Sequence, residues 1–243
     1  MRIPTVRGVI DSRVLINYRV DGEVLSRLCP SPFRPQLVEG YGIAGICLIG
    51  LKNMRPRGLP ACLGLPSKNA AYRFAVQWDD EGQNRSGVYI PRRETSSRFN
   101  ALIGGRLFPG RHYLANFPSW KMDEAIEIEM KSDGQQAQLY CKGRIVEDLP
   151  NDSIFPTLES CSDFFRSGSI GFSPSNCLRS VEGVELRIQD WQVEPLELSH
   201  LQSSFFENHE NFPAGSITFD SALLMRSVEH EWHSRETLDC DCI

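Results

Sequence analysis

The stretch Tyr72-Arg73-Phe74-Ala75-Val76-Gln77-Trp78 sets its large apolar residues at every second position, breaks in a polar turn from Asp79 to Gly87, and resumes as Val88-Tyr89-Ile90-Pro91. A period of two is the mark of a strand, and two such runs around a polar turn read as a hairpin. Upstream, Val14, Ile16, Tyr18 and Val20 alternate with Arg13, Leu15, Asn17 and Arg19, a second half-buried strand. Gly40 to Leu51 is a glycine-punctuated apolar run, suited to a strand buried on both faces. Downstream, Ile126, Ile128 and Met130 pass through Ser132-Asp133-Gly134 into Ala137 to Val146, another hairpin. Val184 to Leu198 and Ser216 to Val228 supply late strands.

Helical signals are short. Asp21-Gly22 starts Glu23 to Leu28, which Pro30 and Pro32 stop. Thr95 or Ser96 caps a stretch with Phe99, Leu102 and Ile103 on one face, ended by Gly104-Gly105. Thr157 opens a segment carrying Leu158, Cys161, Phe164 and Phe165 that stops by Gly168. Strands outnumber helices without a βαβ rhythm. The expectation is a mainly β (α+β) fold, a mostly antiparallel barrel with a few short helices, rather than a Rossmann-type sheet.

The 243 residues suffice for one full core, giving one domain over 1–233 and a flexible tail over 234–243. Hydrophobic residues at 41% and charged residues at 23% are ordinary for a globular chain, which argues against disorder. No apolar run reaches the roughly 18 residues that span a bilayer, so no membrane is expected. The N-terminal residues lack a secretory core and cleavage site, and Cys29, Cys47, Cys62, Cys141, Cys161 and Cys177 are scattered as reduced thiols would be. A cytoplasmic location follows as an expectation.

Charge is uneven. The net charge is −5, yet residues 52–112 hold eleven basic and four acidic side chains, leaving the remainder at −12. Between Arg85 and His112 stand Arg85, Arg92, Arg93, Arg98, Arg106 and Arg111 with Glu94 as the single acid and no lysine. Such a concentration steers an anionic ligand toward one face. Nucleic acid is disfavoured: strand and turn residues separate the arginines, no recognition motif is present, and the acidic remainder repels phosphates.

Gly87-Val88-Tyr89-Ile90, then Gly105-Arg106, then His112-Tyr113-Leu114-Ala115 resemble the YqjF-like branch of the acetoacetate decarboxylase-like superfamily. Further likeness lies in Leu25 to Pro35, Tyr41 to Leu51, Ser204-Phe205-Phe206-Glu207 and Leu223-Leu224-Met225-Arg226. The resemblance implies a β-barrel with short helices around a central cavity. In acetoacetate decarboxylases that cavity carries a lysine that forms a Schiff base with a β-keto acid. Anchored on Gly105-Arg106 and Gly110, the motif puts Tyr113 at the lysine and Leu114 beside it; anchored on Phe108-Pro109, it puts Gly110 and Arg111 there. Neither register supplies an amine. Arginine stays protonated and tyrosine forms no imine, so imine decarboxylation is disfavoured.

The resemblance and the local charge together nominate a ligand set. Arg106 matches the family arginine, and with Arg92, Arg93 and Arg73 it can hold a carboxylate by paired hydrogen bonds. Each of these arginines also fits a surface ion pair. Tyr89 is a candidate cavity-lining residue. Tyr113, His112 and Glu94 are the candidate acid, base or donor groups, and each equally fits a structural hydrogen-bonding role. His230-Glu231-Trp232-His233 lacks the HExxH spacing, and on a strand its two histidines point to opposite sides. Even with Cys240 and Cys242 added, no metal is expected. No phosphate-binding glycine loop or nucleophile elbow is present, and no cofactor is expected. The expected partner is a small anionic or carbonyl-containing ligand, turned over by acid/base chemistry without an imine or simply bound.

Overall fold

The structure is a computed structural model that describes residues 4–104, 109–175 and 179–240. Its elements in chain order are β1 (Val6–Asp21), α1 (Gly22–Leu28), β2 (Arg34–Pro35), β3 (Leu37–Val38), β4 (Tyr41–Pro56), β5 (Leu65–Asp80), β6 (Gln83–Thr95) and α2 (Arg98–Ile103). There follow β7 (His112–Met122), β8 (Ile126–Ser132), β9 (Gln138–Ile145), α3 (Leu158–Ser167), β10 (Ile170–Pro174), β11 (Ser180–Ile188), β12 (Glu194–Ser203), β13 (Ile217–Ser234) and β14 (Leu238–Asp239). Asp21 caps α1 and Thr157 with Ser160 forms a capping box on α3, as expected, whereas α2 starts on Ser97 rather than on Thr95 or Ser96.

The strands close on themselves twice. One ring runs β6-β7-β8-β9-β12-β13-β1-β4-β5 and back to β6. A second leaves β13 through β11 and β10 and returns to β6, so β13, β1, β4, β5 and β6 form a wall common to both. All pairings are antiparallel except β6 with β7 and β6 with β10. Closure leaves the wall strands without an open edge.

A shared wall is buried on both faces. Val14, Ile16, Tyr18, Ile46, Leu48, Tyr72, Phe74, Tyr89, Ile128 and Phe206 fill the larger ring. Leu15, Cys47, Ile49, Ala75, Leu223 and Met225 face the other way and pack against Phe155, Cys161 and Phe165 beneath α3. The alternation at Tyr72 to Trp78 therefore separates two interiors rather than core from solvent, and Arg73 is only 5% exposed. The expected central cavity lies in the smaller ring, because aromatic side chains occupy the larger one.

Two boundaries differ from the sequence expectation. Val184 to Leu198 is two strands, β11 in the smaller ring and β12 in the larger, interrupted around Trp191, which packs with the α3 cluster. The segment after Ser234 is docked as far as residue 240: Leu238 and Asp239 pair with Val181 and Ser180, and Cys240 is buried. Cys240 is also disulfide-bonded, whereas Cys29, Cys47, Cys62, Cys141 and Cys161 are free; Cys177 lies outside the described residues.

Candidate functional site: an arginine-lined cavity

Strand register sorts the candidate residues. In the β5–β6 ladder Phe74 faces Tyr89 but Tyr72 faces Arg92, so β6 carries one extra residue at Ile90-Pro91. Proline, with no N–H to donate, suits such a bulge. The extra residue keeps Arg92 and Glu94 in phase with Tyr89, toward the larger ring, and turns Arg93 toward the smaller one. The parallel β6–β7 pairing then sets Glu94 beside Tyr113 and Arg93 beside His112.

On the larger-ring face, Arg92 Nε donates to Glu94 Oε1 at 2.5 Å, and Ser132 Oγ donates to Glu94 Oε2 at 2.9 Å. The Arg92 guanidinium lies 4.3 Å over the Tyr113 ring. Glu94 is fully buried, which raises its carboxyl pKa against the opposing effect of Arg92. This is a satisfied ion pair at the wall, and Tyr89 packs in the aromatic core beside Phe33 and Phe74.

The smaller ring holds a cavity of about 370 Å³, to which each of its seven strands contributes. Arg13 comes from β1, Cys47 from β4, Arg73 from β5, Arg93 from β6, with His112 from the start of β7. Phe165 of α3, Trp191 and Trp232 supply aromatic wall. Each deep arginine is tethered by one N–H to a neutral acceptor. Arg13 Nε donates to Cys47 Sγ at 3.2 Å, Arg73 Nη2 to Asn17 Oδ1 at 2.5 Å, and Arg93 Nε to Ser173 Oγ at 2.9 Å. Arg73 also stacks 4.6 Å over Phe165 and Arg13 5.4 Å over Trp191. Small residues admit these side chains: a Cβ at Gly45 would collide with the Ile16 carbonyl and meet the Arg73 guanidinium. Gly110, at φ +77°, leaves room for Ser173 and Arg93.

One donor on each arginine is left over. Arg13 Nη1, Arg73 Nε and Arg93 Nη2 are buried without a hydrogen-bond partner among the described residues. Burial pushes the pKa of Arg73 and Arg93 down to about 10, still far above neutrality, so both stay charged. Burial, aided by the neighbouring Arg93 charge, pushes His112 down to about 3, and its ring is neutral at pH 7. Its Nδ1 lies 3.0 Å from the Gly110 carbonyl, which can only accept. Nδ1 therefore carries the proton and Nε2 keeps a lone pair.

Of the residues expected from sequence, Arg73, Arg93 and His112 meet in this cavity. Arg92, Tyr89, Glu94 and Tyr113 stand on the opposite face of the wall, and Arg106 lies outside the described residues. Sequence reasoning missed Arg13, Cys47 and Trp232, on strands far from the arginine-rich stretch, and Trp191, in the connection between β11 and β12. The one available signal was Arg13 on the face opposite Val14, Ile16, Tyr18 and Val20, within β1. On β13, His230 is buried, while His233, of opposite parity on the strand, bonds Glu231 Oε2 at 3.0 Å.

The fold is similar to that of solved acetoacetate decarboxylase-like proteins. The acetoacetate decarboxylase from Legionella pneumophila subsp. pneumophila str. Philadelphia 1 superposes with a TM-score of 0.66 at 10% identity, covering 98% of this chain and 88% of that one. An acetoacetate decarboxylase-like enzyme from Sphingomonas wittichii RW1 gives 0.58 at 11%, covering 97% and 91%. The enduracididine biosynthesis enzyme MppR complexed with pyruvate gives 0.56 at 8%, covering 97% and 90%. No curated protein matches the sequence. Residues 10–225, nearly all of both rings, match DUF2071, "Uncharacterized conserved protein (COG2071)", and the chain belongs to that family.

Proposed function

We propose that the protein binds a small organic acid in the cavity of the smaller ring, with Arg13, Arg73 and Arg93 holding its anionic end. The observation that carries this reading is the three guanidiniums, Arg73 buried and Arg13 and Arg93 partly so, each with one buried nitrogen unpaired and only a neutral tether among the described residues. Leaving such charges uncompensated is costly, and an anion accepting the spare N–H groups removes the cost. Phe165, Trp191 and Trp232 then cover the apolar body of the ligand. Arg106 remains a candidate for the same anion. The pyruvate held by MppR is an acid of this kind.

The chemistry the cavity supports is proton transfer. His112 presents a neutral imidazole beside Arg93, so a ketone-bearing acid anchored there has a base for enolisation and a guanidinium to stabilise the enolate. No lysine lines the cavity among the described residues, which keeps imine chemistry out of the proposal. Arg92, Glu94 and Tyr113 serve to hold the wall. The resemblance in Gly87-Val88-Tyr89-Ile90 and His112-Tyr113-Leu114-Ala115 supports the YqjF-like branch within the family, and the scattered free thiols among the described residues support a cytoplasmic location, against the one disulfide at Cys240.

The test pairs thermal shift and calorimetry on a panel of keto, hydroxy and simple carboxylic acids with deuterium exchange at the carbon next to the ketone. Saturable binding that is lost in Arg73→Met supports the site, and exchange lost in His112→Asn supports catalysis. Binding without exchange makes the protein a carrier or sensor. Binding of none of these acids sinks the proposal.

A further inference from the structure

We propose that Cys47 is a nucleophile of this cavity, adding its sulfur reversibly to the carbonyl carbon of a bound 2-oxo acid. The inference rests on the organic-acid reading above and deepens it by naming the substrate class and the attacking atom.

Among the free cysteines of the described residues, Cys47 is the one that lines the cavity. Burial pushes the thiols of Cys29, Cys141 and Cys161 up to about 12, which keeps them protonated and inert, and Cys62 is exposed. Cys47 is 8% exposed, and Arg13 Nε donates to its Sγ at 3.2 Å. A cation beside a sulfur favours the thiolate, the form that attacks. A second observation points to the ligand itself: Arg73, 5% exposed and lining the same cavity, has Nε without a partner among the described residues. Burial lowers Arg73 and Arg93 to about 10, and negative charge on Cys47 opposes that lowering at both, so the sulfur lies within electrostatic reach of both guanidiniums.

One side chain relates the carboxylate to the sulfur. Arg13 Nε, which bonds Sγ, and Arg13 Nη1, which is buried and unpaired among the described residues, belong to the same planar guanidinium. A carboxylate oxygen accepting from Nη1 is therefore a neighbour of Sγ. The carboxylate carbon resists attack because of its own negative charge, so the carbon that can react is a carbonyl bonded directly to it. That arrangement is a 2-oxo acid; a ketone further along the chain is carried away from Sγ. The step needs no further reagent. The S–C bond forms, the C=O π pair moves to oxygen, and the proton that leaves sulfur ends on that oxygen, giving a hemithioketal. Guanidinium donors stabilise the oxygen while it is negative. No lysine lines the cavity among the described residues to compete for the carbonyl.

The test is NMR of the full chain with pyruvate and 2-oxobutyrate carrying carbon-13 at the 2-position, and levulinate carrying it at the ketone, beside calorimetry of the same acids. The expected result is a protein-dependent tetrahedral carbon signal, distinct from the free hydrate, for a 2-oxo acid but not for levulinate, and its loss in Cys47→Ser. On the parent chain, peptide mass mapping should show the anion iodoacetate alkylating Cys47 at least about tenfold faster than neutral iodoacetamide, the reverse order at Cys62, and protection of Cys47 alone by the 2-oxo acid. This second measurement needs no variant and so stands even where Cys47→Ser does not fold. A 2-oxo acid that binds by calorimetry without a tetrahedral signal overturns the covalent step and leaves the anion site standing, and so does a signal that survives in Cys47→Ser. Faster alkylation of Cys47 by iodoacetamide overturns the placement of the sulfur beside the anion. If none of the acids binds, the organic-acid reading itself fails.

Discussion

Replacing Arg73 by methionine distinguishes an arginine kept for a ligand from one kept for the fold. In the folded protein Arg73 is 5% exposed, donates Nη2 to Asn17, stacks on Phe165, and leaves Nε unpaired. Replacing an uncompensated buried charge with an apolar side chain of similar length is worth about 1–4 kcal/mol to the folded state. Against this, Asn17 Oδ1 loses its donor at a cost of about 1–3 kcal/mol. The lost cation–π contact, about 0.5–2 kcal/mol, is partly offset by a sulfur–aromatic contact of about 0.3–1.5 kcal/mol. These contributions nearly cancel, so the unfolding free energy of the ligand-free variant should stay within about 2 kcal/mol of the parent. Affinity for an organic acid should instead fall by the worth of a charge-assisted hydrogen bond, about 1.5–3 kcal/mol, or roughly 10- to 150-fold. Urea unfolding followed by tryptophan fluorescence and calorimetric titration read the two quantities separately. The reasoning is refuted if Arg73→Met loses about 3–5 kcal/mol of stability with affinity intact, the behaviour of a broken buried ion pair.

Two further outcomes follow from the site. His112 has its pKa depressed from its ordinary 6.5 to about 3, so between those values the unfolded chain binds a proton that the folded protein refuses. Stability should be complete above about pH 6.5 and decline as pH falls toward 3, and His112→Asn should flatten that decline in urea midpoints measured across the window. His230, depressed to about 4, contributes in the same range, so the flattening is partial; an unchanged slope would remove His112 from the account. Glu94→Gln should lower the unfolding free energy by about 1–3 kcal/mol because Arg92 loses its carboxylate, while organic-acid affinity stays at the parent value. An affinity loss above about tenfold in Glu94→Gln would return Glu94 to the site.

The sequence showed the site's ingredients but mixed two populations. The arginine-rich stretch contains Arg92 and Arg93 side by side, and linear reasoning treated both as ligand-binding. A bulge at Ile90-Pro91 sets which of the pair faces the cavity, and its position depends on pairing with β5. Tyr113, His112 and Glu94 were legible together as acid, base or donor groups, but strand register splits them, with Glu94 and Tyr113 side by side on the packed face and His112 at the cavity. Arg13 looked like the solvent-facing partner of Val14 because a period of two cannot tell a second interior from water.

Local alternation, turn chemistry and capping residues were enough to determine a mainly β chain with short helices, because those signals act over a few neighbouring residues. They located the strands at Val14 to Val20 and Tyr72 to Trp78, the hairpin turns, and the Thr157 cap of α3. The absence of a lysine at the motif positions was likewise visible in one dimension. Only the tertiary structure decided that the strands close into two rings sharing a wall, since closure depends on pairings such as β1 with β13 and β11 with β13, between residues far apart in the chain. That shared wall turns the alternating arginines inward and gathers Arg13, Arg73, Arg93 and His112 around one cavity. Convergence of side chains from β1, β5, β6 and β7 is a property of strand register, which a linear pattern does not carry.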